Sequence, residues 1–560
     1  MDDEQSRIDA LRRKQSEIGN HVIDEYFSGH ISRRNFLRAG SVAGISIPVL
    51  SFLAACGPAP APSTPSGSSS VKIKRGGHAA VGCLPPATAL DPLKVDDEGG
   101  LLLLSQVGEF LSWSGSSLVL QPRVAQSWSS SSDAKTWTFK IRKGITFHDG
   151  TPLTAKDVAA TINLHADPAN GSNALSVFKG VLAAGAATAV DDVTLRVELE
   201  AASGNFPYLL SSDNYNLIIL PANYGGDFSK TFNSCGPFRV TSYQTGQRMS
   251  VQRNATYWDK NFIPPLDTVD YDFYTDDQSR ILALQGKTVQ IVSHFAASDG
   301  QALFKDPNVK IIDSRSANHR QVHMRNDMEP FTDKRVRQAM ALALNRPDLV
   351  QGLLNGKAQV ANDSPFFKVY PSTNTSVAQR EQNLTKAKQL LQAAGKGSGF
   401  TVQLSTWRGF EIPDYAQLIQ SSAKKIGVTI NLNIVDEATY YGNAVFGQSI
   451  WLDSLMGITD YGHRAVPNVF LGAPLVSDGP WNAAHFKNST YDGLVAQYVA
   501  TADLSTQRRI AGQIETLLLD ETPIIFAYNY DATGATLPNI GNVRMTGDFQ
   551  LDLRSAGFTS

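Results

Sequence analysis

Two groups of residues in this chain have types and spacings suited to chemistry. His148 stands beside Asp149 in TFHDGTPLTAKDV (residues 146–158), and a carboxylate next to an imidazole suits acid–base work or metal binding. His319 and His323 are four residues apart, which puts them on one face of either a helix or a strand. A third metal ligand is not apparent near them, and His463 lies beside Arg464, whose charge repels a cation. The 3 cysteines, Cys56, Cys83 and Cys235, form no CxxC pair, which excludes a zinc ribbon or a thioredoxin-like site. There is no GxSxG elbow, HExxH helix or cysteine–histidine arrangement for hydrolysis, and no Walker-type glycine loop for nucleotides. Neither a metal nor a cofactor is expected, and an exported peptidase is the enzymatic alternative.

The elements around His148 and Asp149 account for the pair structurally. KTWTFKIRKGITF alternates, with Trp137, Phe139 and Ile141 on one face and Thr138, Lys140 and Arg142 on the other, the pattern of a half-buried strand. Asp149-Gly150 is a turn signal, and Thr154-Ala155-Lys156-Asp157 has the form of a capping box opening a helix from about Ala155 to His165. His148 is then a hydrogen-bonded turn residue.

Strand and helix signals alternate along the rest of the body. SCGPFRVTSYQTGQRMSVQRN reads as a hairpin, and NVKIIDSRSANHRQVHMRND as a long extended segment. DKRVRQAMALALNRPDLVQGLL reads as one strong helix, FTVQLSTW and VTINLNIV as strands, with a helix in YAQLIQSSAKKIG between them. Alternation on this scale over 560 residues means α/β architecture in two or three units. The hydrophobic share of 42% provides a large core, and the formal charge of -2 gives no reason to expect nucleic acid as a partner.

The N-terminus reads as an address. SRRNFLR, with Arg33, Arg34, Phe36 and Leu37, resembles a twin-arginine export motif. An apolar run of about 16 residues follows, typical of a signal-peptide core and short for a span. It ends in LAAC, which resembles a lipobox with Cys56 as the lipidated residue. Residues 1–55 are read as the export signal with an extended N-region. Residues 56–71 form the lipidated cysteine and a flexible Pro/Ser-rich linker. The body then works extracytoplasmically, in a periplasm or on the outer face of the cytoplasmic membrane, tethered by lipid. In that oxidising compartment a Cys83–Cys235 disulfide is permitted.

LQPRVAQSWSSSSDAKTWTFKIRKGITFHDGTPLTAKDV resembles the signature of the extracytoplasmic solute-binding proteins of peptide/nickel ABC importers, family 5. SCGPFRV, RNATYWD, PFTDKRVRQAMALALNRPDLV, LTKAKQLLQAAG and WNAAHFKNSTYDGLV follow in the family's order. The resemblance implies an α/β, two-lobed, periplasmic-binding-protein-like fold of type II, with a large discontinuous lobe and two hinge crossings. The crossings are placed near Ala317 and Asn529. Lobe one then comprises residues 72–317 plus 530–560, and lobe two 318–529. The implied function is to capture peptides between the lobes and deliver them to an ABC permease and its ATPase subunits, as a monomer and without catalysis. A nickel-chelate, opine or oligosaccharide is the alternative ligand on the same fold.

In the family a carboxylate in a Gly-Trp-x-x-Asp-like segment holds the ligand's amino group. The comparable segment here, MGITDYGHRAVPNVFL, carries Asp460 and Tyr461, one residue closer to its glycine and with Ile458 where Trp is common. Arg464 either meets a ligand carboxylate or neutralises Asp460 internally. Trp407 and Arg408, where FTVQLSTW runs into its loop, and the pair Trp481-Asn482 correspond to cleft-lining segments in the family.

Overall fold

The computed structural model describes residues 72–87 and 89–559. The expected export signal with Arg33 and Arg34, and the lipidated Cys56, lie outside the described residues. Eleven strands form one sheet. Along the chain they are β1 His78–Cys83, β2 Phe238–Gln244, β3 Arg248–Arg253, β4 Thr268–Phe273, β5 Ile291–Val292 and β6 Lys310–Met324. The rest are β7 Ala358–Val360, β8 Phe400–Trp407, β9 Val428–Val435, β10 Met456–Tyr461 and β11 Ile524–Thr536.

Their spatial order is β9-β8-β10-β6-β11-β5-β1-β4-β3-β2, with β7 paired to β11. This order sorts the chain: β8, β9 and β10 lie on one side of the β6–β11 pair, and β1 to β5 on the other. β6 and β11, of 15 and 13 residues, are antiparallel, with His319 opposite Asn529. Their register shifts between Ser314 and Asn318 and again between His319 and Gln321. Such irregularities bend a strand pair locally, and Ala317 falls inside this one.

A second sheet of four strands, ordered Ala125–Ser130, Thr136–Ile141, Thr194–Glu198, Ala187–Asp191, carries the signature segment. Trp137, Phe139 and Ile141 are buried, as their alternation requires. The helix Ala155–Ala166 is closed by the expected capping box, with the Thr154 N–H donating to Asp157 Oδ2 at 2.8 Å. His148 lies between the carbonyls of Phe232 (3.3 Å) and Gly236 (3.2 Å). Asp149 accepts from the Thr151 N–H and from Asn233 Nδ2, each at 2.8 Å. Burial lowers the His148 pKa, so the neutral ring has one N–H to give and serves as a tie between loops.

Two expectations are corrected. The run from Lys334 is two helices, Lys334–Leu342 and Arg346–Leu354, because the Asn345 side chain caps the second and Pro347 sits in its first turn. Cys83 and Cys235 are free, since Cys83 packs in the core beneath β1 and Cys235 in the core of the four-stranded sheet. Burial raises both thiol pKa values, leaving protonated and inert groups.

Candidate functional site

β8 runs parallel to both β9 and β10, so one edge collects three carboxyl ends. Ligands of α/β proteins bind beyond such ends. Trp407 closes β8, and Asp460-Tyr461 closes β10. The register of β6 against β10 sets Arg320 directly opposite Asp460.

Arg320 is 2% exposed and is the hub of the site. Its Nη1 bonds Asp460 Oδ1 and receives further company from Tyr530 Oη at 2.9 Å. Its Nε and Nη2 grip both oxygens of Glu411, each at 2.9 Å. Tyr528 Oη donates to Glu411 Oε1 at 2.9 Å, and Tyr530 Oη to Asp460 Oδ1 at 3.2 Å. The guanidinium also lies 4.4 Å from the Tyr530 ring and 5.1 Å from that of Phe410. A desolvated arginine needs this much engagement to stay charged.

Two carboxylates around one guanidinium leave the cluster one negative charge in surplus. Glu411 is buried, whereas the Asp460 side chain keeps 26% of its surface exposed. Burial raises the Asp460 pKa, with Arg320 opposing that shift. The group nearest to solvent in the cluster is therefore an oriented carboxylate with unspent charge, which is the arrangement that accepts a cation.

An aromatic wall flanks it. Trp407 meets Phe410 at 5.8 Å and Tyr441 at 6.1 Å between ring centroids. Tyr441 leads to Trp451 at 5.3 Å, Trp451 to Trp481 at 6.4 Å, and Trp481 to Tyr461 at 6.0 Å. Phe410 is 56% exposed. The Nε1 atoms of Trp407 and Trp451 and the Oη of Tyr461 are buried without hydrogen-bond partners. Such donors on apolar faces suit a ligand that presents carbonyls.

The structure thus brings Asp460, Tyr461, Trp407 and Trp481 to one region, and Arg408 is exposed next to Trp407. The suggested pairing of Asp460 with Arg464 is corrected: the arginine that bonds Asp460 is Arg320, shared with Glu411, and Arg464 Nη1 donates to the His463 carbonyl at 2.7 Å. Asn482 is spent internally, with Nδ2 on the Val476 and Phe486 carbonyls and Oδ1 on the Phe486 N–H. It holds a turn and has no donor left for a ligand. His319 is enclosed by Phe367, Tyr461, Phe470 and Phe526 with its pKa pushed down to about 3, and His323 bonds Ser454. Among the described residues no group of three or more His, Cys, Asp or Glu could hold a metal.

Arg320, Glu411, Tyr528 and Tyr530 escaped the sequence reading. Tyr528 and Tyr530 alternate in IIFAYNY, which puts them on one strand face. Glu411 precedes the helix Ile412–Lys424. The partner of Arg320 depends on a cross-strand register that no local pattern encodes.

A strand-edge carboxylate backed by a buried arginine, beside aromatic rings, is the candidate binding site on this α/β scaffold. Residues 119–460 match the model of bacterial extracellular solute-binding proteins, family 5 (middle), and the chain belongs to that family. It is a substrate-binding component of an importer and not an enzyme. It is similar to the dipeptide-binding protein DppE of Bacillus subtilis (strain 168), at 29% identity over 465 residues, 76% of this chain and 82% of that one. Similarity to the glutathione-binding protein GsiB of Escherichia coli (strain K12) is 25% over 456 residues, 78% of this chain and 86% of the relative. Its fold is similar to that of the periplasmic binding protein DppA from Helicobacter pylori in complex with peptide STSA. That match has a TM-score of 0.68 at 21% identity and covers 87% of this chain and 99% of that one.

Proposed function

We propose that the chain captures short peptides between two lobes and hands them to a membrane permease driven by ATPase subunits. Asp460 receives the peptide's ammonium, and Arg320 with Glu411 orients it. Trp407, Tyr461 and Trp481 line the cleft, with Arg408 at its rim. Lobe one comprises 72–317 plus 530–560 and lobe two 318–529, hinged where β6 and β11 cross. The sorting of strands on either side of that pair supports these limits. A lipid on Cys56, after export through a signal carrying Arg33 and Arg34, keeps the monomer at the membrane. The protein's relatives named for dipeptides and glutathione support a peptide ligand.

The observation that carries this reading is the Asp460 carboxylate, still partly open to solvent while Arg320 and Glu411, which share the guanidinium's charge with it, are buried. Calorimetry with trialanine and N-acetyl-trialanine tests it. Acetylation removes the ammonium and is expected to weaken binding about tenfold or more. Equal affinity for both peptides, or binding of neither, would overturn the reading.

A further inference from the structure

Beyond β10 the chain enters a second charged cluster, formed where residues 463–464 meet two distant segments. Asp548 sits on a turn closed by the Phe549 N–H donating to the Thr546 carbonyl at 3.3 Å. Asp548 is 7% exposed, and its Oδ2 is buried with no hydrogen-bond partner. The carboxyl of Asp213 is also buried, with the Ser114 hydroxyl as the donor beside it, and its Oδ1 lies 3.7 Å from His463 Nε2.

The uncharged neighbours repeat the pattern. Gln550 Nε2 donates to the Ser212 carbonyl at 2.8 Å, which fixes the amide's orientation and leaves Oε1 a buried acceptor without a donor. Asn318 Nδ2 donates to the Gly547 carbonyl at 3.3 Å, and its Oδ1 is likewise buried and unmet. Three acceptors from two segments, Asp548 Oδ2, Gln550 Oε1 and Asn318 Oδ1, therefore lack donors in one place beside Asp213.

The cations at hand do not supply them. His463 Nδ1 accepts the Ala317 N–H at 2.9 Å, and burial holds the ring neutral, with a pKa of about 3. Arg464 is turned to the His463 carbonyl, and its Nε has no partner. Two carboxylates face one guanidinium that bonds neither. Buried acceptors in native proteins almost always find donors, so a shortage concentrated at one spot indicates a donor-rich group arriving from outside.

We propose that Asp548 and Asp213 form a second cation subsite, which takes the basic side chain of a peptide whose ammonium is held at Asp460. This rests on the peptide reading above. A lysine brings three N–H donors and an arginine five, matching the unmet acceptors at Asp548, Gln550 and Asn318, with the Asp213 carboxyl beside them. The two sites are close enough for one short ligand: Asp213 Oδ1 lies 3.7 Å from His463, which is three positions beyond Asp460, at most about 11 Å of extended chain. Burial raises the Asp213 pKa to about 7 and that of Asp548 as well, with Arg464 opposing both shifts.

Calorimetry with tripeptides carrying lysine or norleucine at the second or third position tests the subsite, since norleucine keeps the length and removes the charge. Wild type is expected to prefer a lysine peptide about tenfold or more. Asp548→Asn is expected to abolish that preference and leave norleucine peptides unaffected, whereas Asp460→Asn weakens both alike. Equal binding of lysine and norleucine peptides to wild type, or a preference that survives Asp548→Asn, overturns the subsite alone. Failure of every peptide to bind overturns the peptide reading and the subsite with it. Thermal unfolding of ligand-free Asp548→Asn at pH 8 gives an independent measure. A raised midpoint is expected from removing an unmet buried carboxylate, and a lowered one makes Asp548 a structural partner and overturns the assignment.

Discussion

Asp460 depends on a residue that lies far from it in sequence. Arg320, fixed across the β6–β10 register, holds its carboxylate and that of Glu411 together. Removing one member of a buried ion cluster leaves the others uncompensated, which costs about 3–5 kcal/mol. Arg320→Met keeps the apolar stem and deletes the charge. Its urea unfolding free energy is expected to fall by about 3 kcal/mol, and a loss below about 1 kcal/mol would mean the carboxylates are stabilised otherwise. At this scale the sequence was half legible. Asp460, Tyr461, Trp407 and Trp481 stand out as candidates because they sit at strand ends or in recognisable segments, and the fold gathers them in one region. Asn482 was misjudged because an amide in a matching block looks the same whether it holds a turn or a ligand. Arg320 was invisible, since its role arises only when two strands 140 residues apart are in register.

Local elements were more legible, because capping and alternation act within a few residues. The Thr154–Asp157 box and the strand Thr136–Ile141 follow from short-range rules. The break between Lys334–Leu342 and Arg346–Leu354 was missed, since apolar residues continue through it while Asn345 and Pro347 start a new helix. The helix Leu504–Glu521 shows how an element can carry a pH dependence that has no link to ligand. Its Glu515 is 3% exposed, accepts the Asn374 N–H at 3.0 Å, and has its pKa raised by burial to about 8. A carboxyl raised above its unfolded value of 4.5 binds its proton more tightly when folded. Stability from this group is thus full below pH 4.5 and declines as pH rises toward about 8. Glu515→Gln retains an acceptor for Asn374 and cannot ionise. Its unfolding free energy is expected to match wild type near pH 4.5 and to exceed it by roughly 4 kcal/mol at pH 8. A gap that does not change with pH would show that Glu515 does not titrate between those values.

At the scale of the molecule, two long strands carry the connection between the strand sets on either side of them, and contacts away from those strands must hold the two sides together. One such contact is unusually close. The Gly204 N–H donates to the Val499 carbonyl at 3.0 Å, and Asn205 meets Asn468 at 3.3 Å and Gln507 at 3.1 Å. A Cβ on Gly204 would lie 2.0 Å from the Thr501 carbonyl oxygen, a backbone atom that cannot rotate away. Any side chain there must push the two sides apart. If closure of the lobes creates the ligand site, Gly204→Val holds the molecule open without touching Asp460 or the aromatic wall. Small-angle scattering with saturating trialanine is expected to show wild type contracting and the variant remaining expanded. Peptide affinity is expected to fall about tenfold, because part of the binding energy is spent on closing against the obstruction. A variant that contracts as wild type does and binds equally well would show that residues 204 and 501 need not meet for the ligand to be held.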